Sequence, residues 1–253
     1  MESTKQPLVT VVMPNYNGHR FVEQAIESVL NQTYGNFELI VVDDCSNDDS
    51  LMLIHEKANT DARIQVIEQK QNTGVANARN VGIREAKGEY IALLDDDDLW
   101  TEDKLERQLA LAQKGADIVY CSYDFIDEEN RTIKKPFIVP KQTDFNKMLS
   151  SSVISCSTSF IKTELMQAHP FNPDFYHEDY VLWMELLRNG KIAYGDQKVL
   201  AHYRQVTGSR SNKKGNAAKE RWHTYRRALR LNVVVSAWAF IRYAVNGVMK
   251  YYL

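Results

Sequence analysis

The chain has 253 residues, of which 44% are hydrophobic and 25% are charged, and its formal net charge is −2. This length suffices for one large domain with a hydrophobic core, and the balanced charge gives no reason to expect nucleic acid binding. No apolar run reaches the roughly 20 residues that a membrane-spanning helix needs, so no transmembrane segment is expected. The three cysteines are scattered and have no metal-ligand spacing, which is typical of a reducing compartment.

The first hundred residues alternate between short apolar runs and helical patterns. The apolar runs predict strands at 8–13, 37–42, 63–67 and 90–94. The intervening periodicity predicts helices at 21–30, 48–58 and 75–86. Continuous apolar strands that alternate with helices are typical of an α/β fold with a mainly parallel sheet and flanking helices. In such sheets ligands bind at the carboxyl ends of the strands.

The pattern after residue 100 is less regular. It predicts, in order, a helix at 102–114, a strand at 117–123, a polar surface excursion at 127–144, a strand region at 153–162, a helix at 178–188 and a loop at 209–219. We therefore expect one domain over 1–209, with a regular first half at about 1–100 and a less regular second half at about 101–209. Residues 210–253 are predicted to form a mobile loop and a basic amphipathic helical tail.

The C-terminal tail differs in charge from the rest of the chain. Ten of the 31 Lys and Arg residues, but one of the 33 acids, lie at or after Arg210. A basic, aromatic segment at 219–230 precedes an apolar one at 233–241, a combination typical of an interfacial anchor on an anionic membrane surface. This predicts a cytoplasmic protein held peripherally on the inner face of the plasma membrane. The alternative is a helical pair that packs on the catalytic domain or on a second subunit.

Four consecutive aspartates, Asp95 to Asp98, follow the fourth predicted strand. Like charges at this spacing raise each other's pKa unless a cation lies among them. A hard divalent cation is bound by carboxylate and phosphate oxygens, so the run predicts a metal site. The alternative is a solvated turn or a helix N-terminus, where acidic residues are also favourable.

Two further polar clusters follow the first and second predicted strands. They are Asn15–Asn17 and Asp43–Asp44. Because the carboxyl ends of parallel strands meet at one edge of a sheet, both clusters should lie near the aspartate run. A carboxylate after the second strand could accept hydrogen bonds from a base or ribose, or it could help to cap the next helix.

Five segments together resemble the family 2 glycosyltransferases of the GT-A fold. They are VVMPNYNG (11–18), VVDDCS (41–46), NTGVANARNVG (72–82), LLDDDDLW (93–100) and HEDYVLW (177–183). They stand in the order of the family and spread over about 170 residues. The resemblance implies a GT-A, Rossmann-like catalytic domain over 1–209, with a nucleotide-binding half at about 1–100 and an acceptor half at about 101–209. It also implies an inverting transfer of a sugar from a nucleotide diphosphate, usually UDP, with Mn²⁺ or Mg²⁺ as cofactor.

The resemblance also implies roles for individual residues. Pro14 and Tyr16 would frame the uracil and Asp44 would bond its base edge. The residues implied to bind the nucleotide sugar are, in full, Pro14, Tyr16, Asn17, Asp44, Arg79, Asn80, Asp95, Asp96 and Arg204. Asp95 and Asp97 would form the metal-binding DxD pair, with Asp97 the favoured ligand, although the run of four aspartates offers two registers.

A carboxylate opposite the leaving group would serve as general base for the acceptor hydroxyl. The resemblance places it at Asp179, with Glu178 as the alternative; both could instead only stabilise the first turn of the helix at 178–188. Residues 203–204 and 208–211 resemble a mobile loop that closes over the donor diphosphate. Many family members have a histidine metal ligand two residues after the arginine, and this chain has Val206 there, so no histidine ligand is expected. His202 is assigned a structural role.

The motifs and the tail together predict transfer of a sugar from a UDP-sugar to a glycan acceptor. The expected acceptor is a lipid-linked oligosaccharide of bacterial O-antigen, capsule or exopolysaccharide synthesis. A nucleotidyltransferase is one alternative, but its first strand usually opens into a glycine-rich loop with a basic residue. A dinucleotide-dependent oxidoreductase would need a GxGxxG motif. A non-catalytic sugar-nucleotide-binding protein would be expected to lack the acids at Asp97 and Asp179.

Overall fold

The computed structural model describes residues 6–188, 190–206 and 217–252. Its strands are β1 (Val9–Asn15), β2 (Phe37–Asp43), β3 (Ile64–Glu68), β4 (Tyr90–Leu93), β5 (Leu99–Trp100), β6 (Ile118–Ile126), β7 (Thr132–Phe137), β8 (Gln142–Thr143), β9 (Phe160–Lys162) and β10 (Ala193–Arg204). Its helices are α1 (Val22–Leu30), α2 (Ser50–Thr60), α3 (Val75–Glu85), α4 (Lys104–Ala112), α5 (Phe145–Ser150), α6 (Thr163–Ala168), α7 (Glu178–Arg188), α8 (Ala217–His223) and α9 (Val233–Tyr252).

All of these strands belong to one sheet, with the order β3-β2-β1-β4-β9-β6-β10-β5; β7 pairs with β6 and β8 with β10. The neighbours among β1 to β4 are parallel, as the alternating pattern predicts. Beyond β4 the sheet is mixed, because β9 runs antiparallel to both β4 and β6 while β6 and β10 are parallel. The short strand β9 therefore joins the two halves of the molecule.

Strands β1, β2 and β4 are mostly apolar and buried because helices cover both faces of the sheet. In β1, Val9, Val11 and Met13 pack on the side of α1, and Val12 packs on the side of α3. A Cβ atom at Gly82 of α3 would lie 2.5 Å from Cγ1 of Val12. The glycine therefore allows α3 to approach the sheet closely. Helices α1, α2 and α4 cover one face, and α3, α5, α6 and α7 cover the other.

The second half departs from the sequence prediction in three places. The predicted surface excursion at 127–144 contains β7, whose residues are mostly exposed and so lack the apolar alternation that indicates a strand. The predicted strand region at 153–162 pairs as a strand only at β9 and contains a 3₁₀ turn at Cys156–Thr158. The long strand β10 was not predicted, since it is partly polar and its pairing with β6 shifts register twice.

The C-terminal helices pack on the second half through one face. Tyr225, in a π-helical turn after α8, is buried and donates a hydrogen bond from its hydroxyl to the carbonyl of Leu149 at 2.8 Å. The guanidinium of Arg221 stacks over Tyr180 of α7 and Tyr243 of α9, at 3.9 and 4.4 Å from the ring centroids. The tail thus packs on the second half of the domain. This agrees with the alternative prediction, in which the tail forms a helical pair on the domain. In the described ranges, no helix is both long and apolar enough to cross a membrane.

Candidate active site

A cavity of about 580 Å³ lies beyond the carboxyl ends of β1, β2 and β4. It is closed on its far side by the N-terminus of α7 and by the segment before β9. The lining residues are Pro14, Asn15, Tyr16, Asp44, Asn72, Gly74, Val75, Ala78, Arg79, Asp95, Asp96, Asp97, Ser155, Cys156, Tyr176, His177, Glu178, Asp179 and Tyr203. The three predicted polar clusters therefore meet at one edge of the sheet, as the strand order requires.

The ends of β1 and β2 are held together by a buried polar network. The Asn15 amide donates to Asp43 Oδ1 at 2.6 Å and also contacts the hydroxyls of Ser46 and Ser50. The backbone N–H of Ser46 donates to Asp43 Oδ2 at 2.9 Å. Because buried polar groups are costly when unpaired, this network fixes where the two loops leave the sheet.

Asp44 connects β2 to the turn before α3. Its Oδ1 accepts from the Thr73 N–H at 2.9 Å and from the Gln69 amide at 2.6 Å, and its Oδ2 accepts from the Gly74 N–H at 2.7 Å. Gly74 has a φ of 90°, a conformation that favours glycine. Asp44 therefore fixes the turn before α3 and not the start of α2, the helix that its sequence position suggested it could cap, and it also lines the cavity.

The four aspartates form a tight turn that sends their side chains in different directions. The Asp98 N–H donates to the Asp95 carbonyl at 3.2 Å. Asp96 Oδ2 accepts from the Tyr16 N–H at 3.3 Å, while Asp97 faces the cavity. Asp98 is buried and accepts from the Ser157 hydroxyl at 2.5 Å and from the Arg204 N–H at 2.9 Å. Three aspartates thus line the cavity, and the fourth holds the turn in place.

Burial and mutual repulsion disfavour the charged forms of these carboxyls. Burial and the neighbouring charge of Asp95 raise the pKa of Asp97 to about 6. Burial, together with Asp97 and Asp95, raises the pKa of Asp96 well above its usual range. A cation in the cavity would relieve this repulsion, so the carboxylates suit a hard divalent ion.

The described part of the chain does not hold three or more His, Cys, Asp or Glu side chains arranged to bind a metal by themselves. Mg²⁺ and similar ions usually take one or two carboxylates from the protein and complete their shell with water and substrate phosphates. The carboxylates of the aspartate turn therefore fit an ion that takes one or two protein ligands and completes its shell with other oxygens.

Arg79 bridges the aspartate turn and the start of α7. Its guanidinium lies 2.6 Å from Asp95 Oδ1 and 3.1 Å from Glu178 Oε1, and it also lies over the ring of Phe171. The side chains of Arg79 and Glu178 are only 5% and 3% exposed. Forming a buried ion pair of this kind requires both charges to be removed from water, which is unfavourable. Removing one partner is strongly destabilising, because the other charge then stays buried without compensation.

Replacing Arg79 by methionine is expected to lower the free energy of unfolding by about 3–5 kcal/mol, because it leaves Glu178 buried without its cation. The measurement is chemical denaturation followed by circular dichroism. Arg84→Met on the exposed side of the same helix is the matched control and should change stability by about 0.5 kcal/mol or less. Equal stabilities of the two variants would show that the bridge is not needed.

Asp179 lies in the first turn of α7 and lines the cavity. Its Oδ1 accepts from the Tyr180 N–H at 2.7 Å. Burial, and then the charge of Glu178, raise the pKa of Asp179, while Arg79 and Arg221 act in the opposite direction. A carboxyl with a raised pKa that remains open to a cavity is suited to accept a proton.

Three residues that the sequence assigns to the nucleotide sugar do not line the cavity. Asn17, with a φ of 56°, accepts from the Asn47 N–H at 2.8 Å and braces the neighbouring loop. The Asn80 amide both donates to the Phe171 carbonyl and accepts from its N–H, each at 2.8 Å. Asn17 therefore supports the loop that contains Asn47, and Asn80 supports the segment that contains Phe171.

Arg204 is the third residue outside the cavity. It is 2% exposed at the end of β10, and its Nε donates to the Asp97 carbonyl at 2.7 Å. Nη1 donates to the Asp127 carbonyl and to Asn130 Oδ1, and the guanidinium lies 4.4 Å above Phe21. Arg204 thus supports the aspartate turn from behind. The predicted loop residues 208–211 lie outside the described residues, and His202 bonds Asp124 at 2.6 Å, in keeping with a structural role.

Sequence reasoning assigned no role to several lining residues. Ser155, Cys156 and Tyr176 belong to irregular segments without a motif, and their distance along the chain from the aspartates gives no local signal. His177 and Asn72 lie inside two of the recognised segments but were not assigned a function. The cavity also reaches Tyr203, the neighbour of Arg204.

An open parallel sheet that carries a carboxylate-rich cavity at its edge, extended by a mixed sheet, defines an α/β protein of the GT-A class. This chain belongs to the glycosyltransferases, because the model of the family "Glycosyl transferase family 2" matches residues 10–169. It is 35% identical over 246 residues to the putative teichuronic acid biosynthesis glycosyltransferase TuaG of Bacillus subtilis, covering 97% of this chain and 98% of that protein. It is 33% identical over 247 residues to an Escherichia coli protein, the UDP-Glc:alpha-D-GlcNAc-diphosphoundecaprenol beta-1,3-glucosyltransferase WfgD, covering 96% and 95%.

Solved structures confirm the fold that the resemblance implied. Staphylococcus aureus TarS 1–349 in complex with UDP-GlcNAc superimposes with a TM-score of 0.76 at 19% identity, covering 96% of this chain and 73% of that one. The mannosyltransferase PcManGT of Pyrobaculum calidifontis in complex with GDP-Man and Mn²⁺ has a TM-score of 0.67 at 20% identity, covering 98% and 76%. At these identities the likeness concerns the fold.

Proposed function

We propose that this glycosyltransferase is inverting and metal-dependent, and that it moves a sugar from a UDP-sugar to a hydroxyl of a lipid-linked glycan in cell-surface polysaccharide synthesis. One observation carries the proposal. A single cavity joins the ends of β1, β2 and β4 to the N-terminus of α7, so that Asp97 and Asp179 line the same space. A donor diphosphate and an acceptor hydroxyl could therefore meet between two carboxylates with different tasks.

The donor site is supported by residue chemistry and by relatives. Tyr16 is 45% exposed beside Pro14 at the cavity and offers an aromatic face to a base. Asp44 lines the same end and has the oxygens that a base edge or ribose needs. WfgD and a second Escherichia coli relative, WfaP, are named as users of UDP-Glc with a diphosphoundecaprenol-linked acceptor. These names support both the UDP-sugar and the lipid-linked acceptor.

Asp97 and Asp95 would hold the divalent ion, Mn²⁺ or Mg²⁺, together with the donor. Such an ion acts as a Lewis acid that neutralises the charge developing on the diphosphate leaving group. Arg79, through its ion pair with Asp95, sets the direction of one of these carboxylates. The buried Asp98 and Arg204 hold the turn that presents both.

Asp179 is the proposed general base for the acceptor hydroxyl. Its rival Glu178 is almost fully buried and is bound to Arg79, which suits it to positioning the start of α7. One base that acts from the side opposite the leaving group allows a single displacement, which inverts the configuration at the sugar carbon.

Replacing Tyr16 by alanine is expected to weaken UDP binding by about tenfold or more, because stacking of a base on an aromatic ring contributes roughly 1–3 kcal/mol. Binding is measured by calorimetry with UDP and, for comparison, GDP. His19→Ala, an exposed change in the same loop that lies outside the cavity, is the matched control. Release of UDP from a panel of UDP-sugars tests the reaction itself. Equal affinity for UDP and GDP, or no effect of Tyr16→Ala, would contradict the assigned donor.

A further inference from the structure

A second cavity, of about 500 Å³, lies between the segment that ends in α5 and the C-terminal helix α9. Its lining residues are Phe137, Pro140, Thr143, Asn146, Lys147, Ser150, Ser151, Val153, Trp238 and Arg242. Two of these, Lys147 and Arg242, are cations, and none of the described lining residues is acidic, although Lys147 also lies 3.6 Å from Asp144 just outside the cavity. Hydroxyl and amide groups supply further hydrogen-bond donors. The hydrogen-bond donors that line this cavity therefore suit a phosphate group, which guanidinium and ammonium groups bind well.

One wall of this cavity belongs to a helix with an exposed apolar stripe. Val234, Trp238, Ile241 and Val245 of α9 are 79%, 48%, 62% and 52% exposed. Their spacing of four, three and four residues places them on one side of the helix, opposite the buried Ser236 and Ala239. Isolated exposed apolar residues are ordinary, but a contiguous stripe with a tryptophan is typical of a helix that lies in a lipid interface.

The same helix presents a positive charge beside the stripe. Arg242 is exposed, lines the second cavity, and lies with its guanidinium 4.9 Å from the centroid of the Trp238 ring. Arg230, just before α9, is also exposed. Cations next to an interfacial apolar stripe are attracted to anionic head groups. The charge and the stripe therefore point to a membrane as the occupant of this face.

A row of aromatic side chains leads from the second cavity to the catalytic one. Phe137 lines the second cavity, and its ring lies 5.4 Å from that of Tyr123. Tyr123 lies 6.2 Å from Tyr203, which lines the catalytic cavity. All three side chains are partly exposed. Flat aromatic faces with a polar handle suit a sugar chain, whose rings also have apolar faces and polar edges.

We infer that the second cavity binds the diphosphate of a membrane-embedded, lipid-linked acceptor. The apolar stripe of α9 then lies in the lipid interface, and the glycan passes along Phe137, Tyr123 and Tyr203 toward the catalytic cavity. This inference rests on the proposed function, because a glycosyltransferase needs a route from its membrane-bound acceptor to its base. It adds a site between α5 and α9, and α9 lies outside the residues 10–169 that the family model matches.

The test uses the full chain and three kinds of phosphatidylcholine vesicles, which contain a polyprenyl diphosphate, a polyprenol without phosphate, or phosphatidylglycerol at matched surface charge. Flotation measures the bound fraction. The unmodified protein is expected to bind the diphosphate vesicles about tenfold more tightly than the phosphatidylglycerol vesicles. Arg242→Gln should remove this preference, and Trp238→Ser or Ile241→Ser should weaken binding to all three. Arg84→Gln, an exposed change on α3, is the control for charge, and Met52→Ser, an exposed change on α2, is the control for apolar area.

Equal binding to the diphosphate and the charge-matched vesicles would overturn the inference and leave only a general attraction to anionic lipid. A preference that survives Arg242→Gln would overturn the assigned cavity. Binding that persists in both stripe variants would show that α9 does not contact lipid. These measurements need no donor, whereas UDP release without vesicles tests the proposed function alone, so the two can fail separately.

Discussion

Replacing Asp179 by asparagine is expected to lower the kcat of sugar transfer by a factor of about 10²–10⁴, which is the usual contribution of a general base. Asparagine keeps the size of the side chain and can still accept from the Tyr180 N–H, so the start of α7 should keep its shape. It cannot take the proton of the acceptor hydroxyl. The measurement is steady-state transfer with the donor that the panel of UDP-sugars identifies.

The control is Asp174→Asn, an identical chemical change at an exposed position of the segment before α7. It lies outside the cavity and should leave kcat within about twofold of the unmodified protein. If Asp179→Asn keeps full activity, the base must be sought elsewhere. Glu178→Gln would then be the next variant, with the complication that it also breaks the ion pair with Arg79.

The pH dependence offers a second readout of the same carboxyl. Asp179 acts as a base only in its ionised form, so activity should be lost as the pH falls through its pKa. Burial and the charge of Glu178 raise this pKa, which places the acid limb at a higher pH than for an ordinary aspartate. Glu178→Gln removes one of the two causes and should move the limb to lower pH. If the acid limb lies at the same pH in the unmodified protein and in Glu178→Gln, the assignment of Asp179 as the general base is contradicted.

Removal of divalent metal is expected to lower the transfer rate by about a thousandfold, equal to roughly 4 kcal/mol, because the leaving diphosphate loses its Lewis acid. Chelation followed by addition of Mn²⁺ or Mg²⁺ should restore activity. Asp97→Asn should raise the metal concentration needed for half-maximal activity, since it removes one of the carboxylates that line the cavity.

The control for this variant is Asp103→Asn, which removes an aspartate that is paired with Lys198 outside the cavity. It should leave the metal requirement unchanged. Full activity in the presence of chelator would show that the aspartates serve only to shape the loop. A normal metal requirement in Asp97→Asn would instead move the metal to another carboxylate of the run.

The first half of the fold could be predicted because its signals are local. Strands β1, β2 and β4 are buried and read as apolar runs, and each is followed by a polar cluster at its carboxyl end. The second half could not be predicted to the same extent. β7 is exposed and gives no apolar alternation, and β10 owes its pairing to β6, some 75 residues earlier, through two shifts of register.

The same difference between local and distant signals applies to the site. Asp95, Asp96 and Asp97 could be placed at the cavity because they directly follow a buried strand. The role of Asp98 could not, because its partners Ser157 and Arg204 lie 59 and 106 positions away. Asn80 illustrates the limit of carrying over a motif. It stands beside Arg79 in sequence, but a helix turns neighbouring side chains about 100° apart, and its amide bonds Phe171 instead.

The unbroken sheet has a mechanical consequence. Because β9 is hydrogen-bonded to β4 on one side and to β6 on the other, the first and second halves of the domain share one continuous sheet. A hinge motion between the two halves would require hydrogen bonds of the sheet to break. We therefore expect substrate exchange without a hinge opening of the two halves. Turnover would then depend on small displacements of loops and side chains at the edge of a sheet that does not move. The amide protons of β4 and β9 should therefore exchange with solvent as slowly in the free protein as during catalysis.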